Sequence, residues 1–119
     1  SPKGSGAERG NLESALSRHE STCDLKGIIS ASAAMLAPKG KLYMIHKVSR
    51  MAEVITEASN SGLEPKEIKL IYPKADRSAD TFVICCVKGG GAGIKLSSLT
   101  VYNDDGSMTE EAAKLYAKQ

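Results

Sequence analysis

Two hydrophobic periods alternate along the chain, and the switches between them set the order of elements. From Leu25 one face is kept at Leu25, Ile28, Ile29, Ser32 and Leu36, the spacing of an amphipathic helix. Ser21 or Thr22 is placed to cap its first amides, Asp24 suits the positive N-terminal end, and Pro38, Lys39 and Gly40 end it. Leu42-Tyr43-Met44-Ile45 is then a continuous apolar run, which predicts a central strand covered on both faces, as in parallel sheets. Helical spacing returns at Met51, Val54, Ile55 and Ala58, with Ser49 offered as N-cap and Asn60, Ser61 and Gly62 as the stop.

A second strand is predicted at Ile68 to Tyr72, closed by Pro73, and a third at Thr81 to Val87 after the polar loop Lys74 to Ala79. Strand, helix and strand joined by short connections form a crossover unit of parallel strands. With no helix between the second and third strands, those two should be antiparallel. The cluster Gly89, Gly90, Gly91 and Gly93 follows, then a short strand at Leu99 to Tyr102, a turn at Asn103 to Gly106 and a last helix from about Thr109. Upstream, residues 1–11 read as a Gly- and Ser-rich loop, and a short helical segment is expected from Leu12 to Ser17. The fold class is α/β.

At 119 residues the chain is short for a doubly wound sheet covered on both faces, so one domain or part of one is the ceiling. Hydrophobic residues at 41% and charged residues at 25% are those of a soluble globular domain. No apolar run reaches the roughly 20 residues that span a bilayer, and no signal-peptide pattern opens the chain, so no membrane partner is expected and a cytoplasmic location follows by default. Ser1 stands where an initiator methionine would, which is compatible with a missing beginning. A net charge of +2 does not by itself argue for nucleic acid, which needs a clustered basic face. Cys85 and Cys86 are neighbours in a strand and point to opposite faces, so with Cys23 they are expected to be reduced, buried thiols rather than a disulfide or metal set.

Three places offer candidate chemistry. The run VKGGGAGIKL follows a strand, but GxGxxG does not fit its register and no helix begins there to meet an anion. It reads as a turn or substrate-facing loop rather than a nucleotide cradle. Arg18, His19 and Glu20 place a guanidinium, an imidazole and a carboxylate side by side, which is more often a solvated helix end than a site. His46 and Lys47 end the first strand, at the edge where open α/β sheets bind ligands. A histidine ending a strand is as often merely hydrogen-bonded as functional.

Taken in order, the runs SRHESTCDLKGIISASAAMLAPKGKLYMIHK, GLEPKEIKLIYPK, FVICCVKGGGAGIKL and LTVYNDDGSMTEE resemble one family. They are similar to bacterial tRNA adenine-N6 methyltransferases of the valine-tRNA anticodon-loop type, over nearly the whole chain from Lys3 to about Tyr116. The resemblance implies a Rossmann-like class I fold that uses S-adenosylmethionine, of which Leu42 to His46, Ile68 to Tyr72 and Thr81 to Val87 are strands five, six and seven, the last running against the others. It implies that residues 1–119 are the C-terminal portion of a single methyltransferase domain. The cofactor-binding half and the catalytic Asn-Pro-Pro-Tyr motif are then expected before Ser1, where that motif receives a flipped adenine.

On the same resemblance Lys3, Gly4, Arg18, His19 and Glu20 lie over the target base; with His46 and Lys47 from their strand end and Lys88 as a phosphate candidate, they are the expected substrate-side residues. Lys47, Arg50, Lys74, Arg77, Lys88 and Lys95 are candidates for tRNA phosphates, although each is more often an ordinary surface charge. Ser97 and Ser98 stand where relatives have prolines, which implies a less rigid glycine loop. S-adenosylmethionine is the cofactor of the full-length protein; none is expected to bind the fragment, and no metal is required. The alternative is a non-enzymatic binding or oligomerisation module that retains the back half of the fold. Without its fourth strand, the run Leu42 to His46 exposes an edge, so the fragment is expected to self-associate through it.

Overall fold

The computed structural model describes residues 24–117. Among them are four strands, β1 (Lys41–Lys47), β2 (Leu63–Lys74), β3 (Thr81–Lys88) and β4 (Lys95–Tyr102), and three α-helices, α1 (Asp24–Met35), α2 (Met51–Asn60) and α3 (Glu110–Ala117). The strands form one sheet in the order β1-β3-β2-β4. β3 is antiparallel to both β1 and β2, while β2 and β4 are parallel, so β3 alone is reversed within an otherwise parallel sheet. This is the α/β arrangement expected from the sequence.

The core lies on one face of that sheet. Leu25, Ile29 and Ala33 of α1 and Val54 and Ala58 of α2 meet Met44, Leu63, Ile68, Phe82, Ile84 and Cys86 from the strands. Ile28 and Leu36 are partly buried at its margin, so the helical face read from the sequence is the one that packs. α1 ends where Lys39 takes a positive φ of 72° and the chain turns sharply through Gly40. A Cβ at residue 40 would lie 2.8 Å from the Ala37 carbonyl oxygen, which reserves the position for glycine. Gly62, with φ of 81°, ends α2 in the way its sequence predicts.

The sheet departs from expectation in four places. Among the described residues β1 is covered on one face only: Met44 and His46 are buried, but Tyr43 and Ile45 are each 64% exposed, because both core helices lie against the same face. Ser49 caps nothing; it sits in a 3-10 turn, Val48–Arg50, and the N-cap of α2 is Arg50 with no side-chain hydrogen bond. β2 runs through Pro73 to Lys74 and begins early, at Leu63, passing Pro65 by a register shift between Pro65 and Glu67. Ser97 and Ser98 belong to β4, which begins at Lys95 rather than Leu99, so they cannot loosen the glycine loop. The proposed caps Ser21 and Thr22, the segment Leu12 to Ser17 and Cys23 lie outside the described residues.

The C-terminal helix packs separately. Leu99 of β4 and Ala112 of α3 are both buried, and Thr109 joins the two elements. Its hydroxyl donates to the Thr100 carbonyl at 2.6 Å and accepts the Ala112 amide at 3.1 Å, an N-cap that also ties the helix to its strand. Thr109→Ala is expected to cost about 1 kcal/mol in urea unfolding; no change would mean that α3 is held by Leu99 and Ala112 alone.

Cys85 and Cys86 are both buried free thiols on opposite faces. Burial pushes the Cys86 thiol up to about 11, with smaller contributions from Cys85 and Glu64. An unfolded thiol titrates near 8.5, so between about 8.5 and 11 the unfolded chain gives up a proton that the folded chain keeps. Stability should therefore fall as pH rises through that window. Cys86→Val is expected to flatten this part of the urea-midpoint profile; superimposable profiles for the two proteins would remove Cys86 as the cause.

Candidate functional site

Strand direction decides which residues can share a site. β1, β2 and β4 end at one edge of the sheet with Lys47, Lys74 and Tyr102, and β3 begins there with Thr81. This is the ligand-binding edge of open α/β sheets. The Val48 amide donates to the Asp80 carbonyl at 3.1 Å, and the Asp80 amide to that of Ile71 at 3.3 Å, which hold the loop between β2 and β3 against the end of β1.

His46 and Lys47 come together at this edge, but in different environments. The His46 ring is on the covered face, 7% exposed, and its Nδ1 accepts the Lys47 backbone N–H at 2.8 Å. That bond requires a lone pair on Nδ1, so in the neutral ring the proton is on Nε2. Lys47 is exposed. One turn on, Arg50 grips Glu53 with Nε to Oε1 at 2.7 Å and Nη2 to Oε2 at 2.8 Å. The guanidinium holds the Glu53 carboxyl below its ordinary value against a small opposing effect of burial, and His46 adds a weaker pull in the same direction. The edge carries acids as well as bases: Asp76 and Asp80 flank Arg77, and Asp104 and Asp105 follow β4. It is a mixed surface, not a uniform basic stripe.

Lys88 and Lys95 are not part of it. β3 is reversed, so its last residues lie beside the start of β1, with Val87 opposite Lys41. The length of a seven-residue strand, about 20 Å, separates Lys88 from Lys47. Its Nζ donates to the carbonyls of Ala33 and Leu36, both at 2.7 Å, at the C-terminal end of α1. Lys95 starts β4 opposite Glu67, level with Tyr43 and so set back from Lys47 along the strands. Lys3, Gly4, Arg18, His19 and Glu20 lie outside the described residues.

The glycine loop is at the Lys88 end of the sheet, away from any ligand held at the end of β1. Lys39 Nζ donates to the Gly89 carbonyl at 3.1 Å, and Lys66 Nζ to those of Gly91 at 2.8 Å and Ala92 at 3.3 Å. Sequence reasoning missed both lysines as anchors, because the carbonyls they bond are distant in sequence. It also missed Tyr43, which lies opposite Cys85 on the open face, where a side-chain hydrogen bond to that thiol raises the phenol above its ordinary value.

The described residues do not fit S-adenosylmethionine. Their one glycine-rich loop precedes a strand, not a helix, and presents carbonyls to lysines instead of amides to an anion. Nor do the described residues gather three or more His, Cys, Asp or Glu side chains that could hold a metal ion. No described helix is long and apolar enough to cross a membrane.

No family model matches this sequence, and no curated protein matches it. Comparison with solved structures does find the architecture. A predicted O-methyltransferase from Agrobacterium tumefaciens superposes with a TM-score of 0.73 over 81% of this chain, at 21% sequence identity. The match takes in 47% of that protein, so the chain spans about half the length of the structure it resembles. The fold is methyltransferase-like.

Proposed function

We propose that this chain is the C-terminal portion of a class I methyltransferase that transfers the methyl group of S-adenosylmethionine to an adenine N6 amine in tRNA. The observation that carries the reading is β3, the single reversed strand set between parallel β1 and β2, which is the strand pattern that the sequence resemblance implies for this end of the fold. The structural likeness to a predicted O-methyltransferase supports the transferase class. The adenine acceptor rests on the sequence resemblance. On this reading cofactor and catalytic motif come from the other half of the domain, and this half contributes the ligand edge. Lys47 faces solvent there, and the His46 side chain fixes the backbone of the strand end that presents it.

The test begins with the coding sequence ahead of Ser1. A glycine-rich strand-loop and an Asn-Pro-Pro-Tyr motif are expected, and the polypeptide that includes them should transfer labelled methyl groups to tRNA, with N6-methyladenosine as the modified nucleoside. Methyl transfer to a hydroxyl instead would keep the transferase and replace the acceptor. Neither motif, or no transfer to any acceptor, would leave a binding or oligomerisation module.

A further inference from the structure

Among the described residues β1 pairs with β3 on one side only. The hydrogen-bonding phase of that pair is fixed at its ends. The Lys88 amide donates to the Gly40 carbonyl at 2.9 Å, and the Val48 amide to the Asp80 carbonyl at 3.1 Å. Both pairs continue the β1 to β3 register, in which hydrogen-bonded and non-hydrogen-bonded positions alternate. Leu42, Met44 and His46 therefore direct their backbone groups at β3. Lys41, Tyr43, Ile45 and Lys47 direct theirs outward, and these are also the residues whose side chains are on the open face.

The outward amide of Lys47 is already held by His46 Nδ1. That leaves a short edge whose amides and carbonyls at Lys41, Tyr43 and Ile45 are matched to an antiparallel partner. We propose that this edge pairs with the same edge of a second copy of the chain, across a two-fold axis at Tyr43. In this register Tyr43 meets Tyr43 of the second copy, and Lys41 lies opposite Ile45, with about six backbone hydrogen bonds, none of them needing the Lys47 amide. Centring on Leu42 pairs only Lys41 with Tyr43 and so loses about two of the hydrogen bonds, and the registers toward the C-terminal end are also worse. Centring on Met44 sets Lys41 opposite Lys47 at both ends, a like-charge pairing that destabilises strands, and centring on Ile45 calls on the Lys47 amide twice. The Tyr43-centred dimer joins the open faces into one surface, where the exposed Tyr43 and Ile45 side chains cover each other across the axis. This inference concerns the 119-residue chain and does not depend on the methyltransferase reading. In a longer polypeptide the fourth strand of that fold would take the same edge, and dimerisation through it would be lost.

Sedimentation of the 119-residue chain over a range of concentrations, combined with hydrogen exchange, tests the proposal. A reversible dimer is expected, with exchange at the Lys41, Tyr43 and Ile45 amides slowing at least tenfold as it forms. Tyr43→Pro removes an amide that β3 does not use, a substitution an edge strand tolerates, and should weaken dimerisation at least tenfold with the circular dichroism unchanged. Lys41→Glu should leave the dimer constant within about threefold, since Lys41 faces Ile45 rather than a charge. A monomer at all concentrations, or exchange at these amides that ignores concentration, would overturn the proposal, and the exchange result stands even if Tyr43→Pro unfolds. A dimer tightened tenfold by Lys41→Glu would reject the Tyr43 register in favour of the one centred on Met44.

Discussion

Phe82→Ala is expected to lower the free energy of unfolding by about 3–5 kcal/mol, the range for truncating a sealed aromatic side chain. Phe82 is fully buried in β3, the strand with partners on both sides, where it is opposite His46 of β1 and Leu70 of β2. It belongs to the core between the sheet and the two helices α1 and α2. Among the described residues only one face of the sheet carries such a core, so the loss falls on the main source of apolar burial. Domains of this size have only about 5–15 kcal/mol to lose. Urea unfolding followed by circular dichroism should show a much lower midpoint or a chain already unfolded in buffer. A change under 1 kcal/mol would mean that the helices close over the vacated volume or do not seal it.

Lys88→Met should cost about 2–3 kcal/mol, from the loss of two hydrogen bonds to a charged donor. Methionine keeps the apolar stem, so the effect isolates the ammonium group. The last turn of α1 has no basic residue of its own. The negative end of that helix is met instead by a lysine from β3, more than fifty residues on, bonded to the Ala33 and Leu36 carbonyls. Hydrogen exchange in the last turn of α1 should quicken before the sheet responds. Unchanged stability together with weakened RNA binding would return Lys88 to the substrate side expected from the sequence.

Much of the architecture was legible because periodicity reports burial. Met51, Val54, Ile55 and Ala58 mark α2, and the run from Thr81 to Val87 marks β3, a strand between two neighbours. The first half of β2 was not legible. Glu64, Pro65, Lys66 and Glu67 look like a loop, and they are strand because pairing with β3 overrides their weak propensity and a register shift absorbs the proline. Pro73 misled for a related reason: a proline ends a strand only where its missing amide is needed. At the ligand edge, His46 and Lys47 were legible from their place at a strand end. The place of Lys88 was legible but not read, since a third strand antiparallel to the second must finish at the opposite edge from Lys47. The roles of Lys39 and Lys66 depend on loop carbonyls distant in sequence, and local pattern contains no trace of them.

The pinned glycine loop bears on how the protein responds to modification. Glycine-rich segments lose more conformational freedom on folding than any others, so this one is held in shape by lysine ammonium groups that bond its carbonyls. Backbone bonds from the Gly89 and Gly90 amides hold its start, so acylation would act on the remainder. Acetylating Lys39 and Lys66 would remove the positive charge and leave a single amide donor on each side chain, turning a fixed spacer between β3 and β4 into a pliable one without altering either strand.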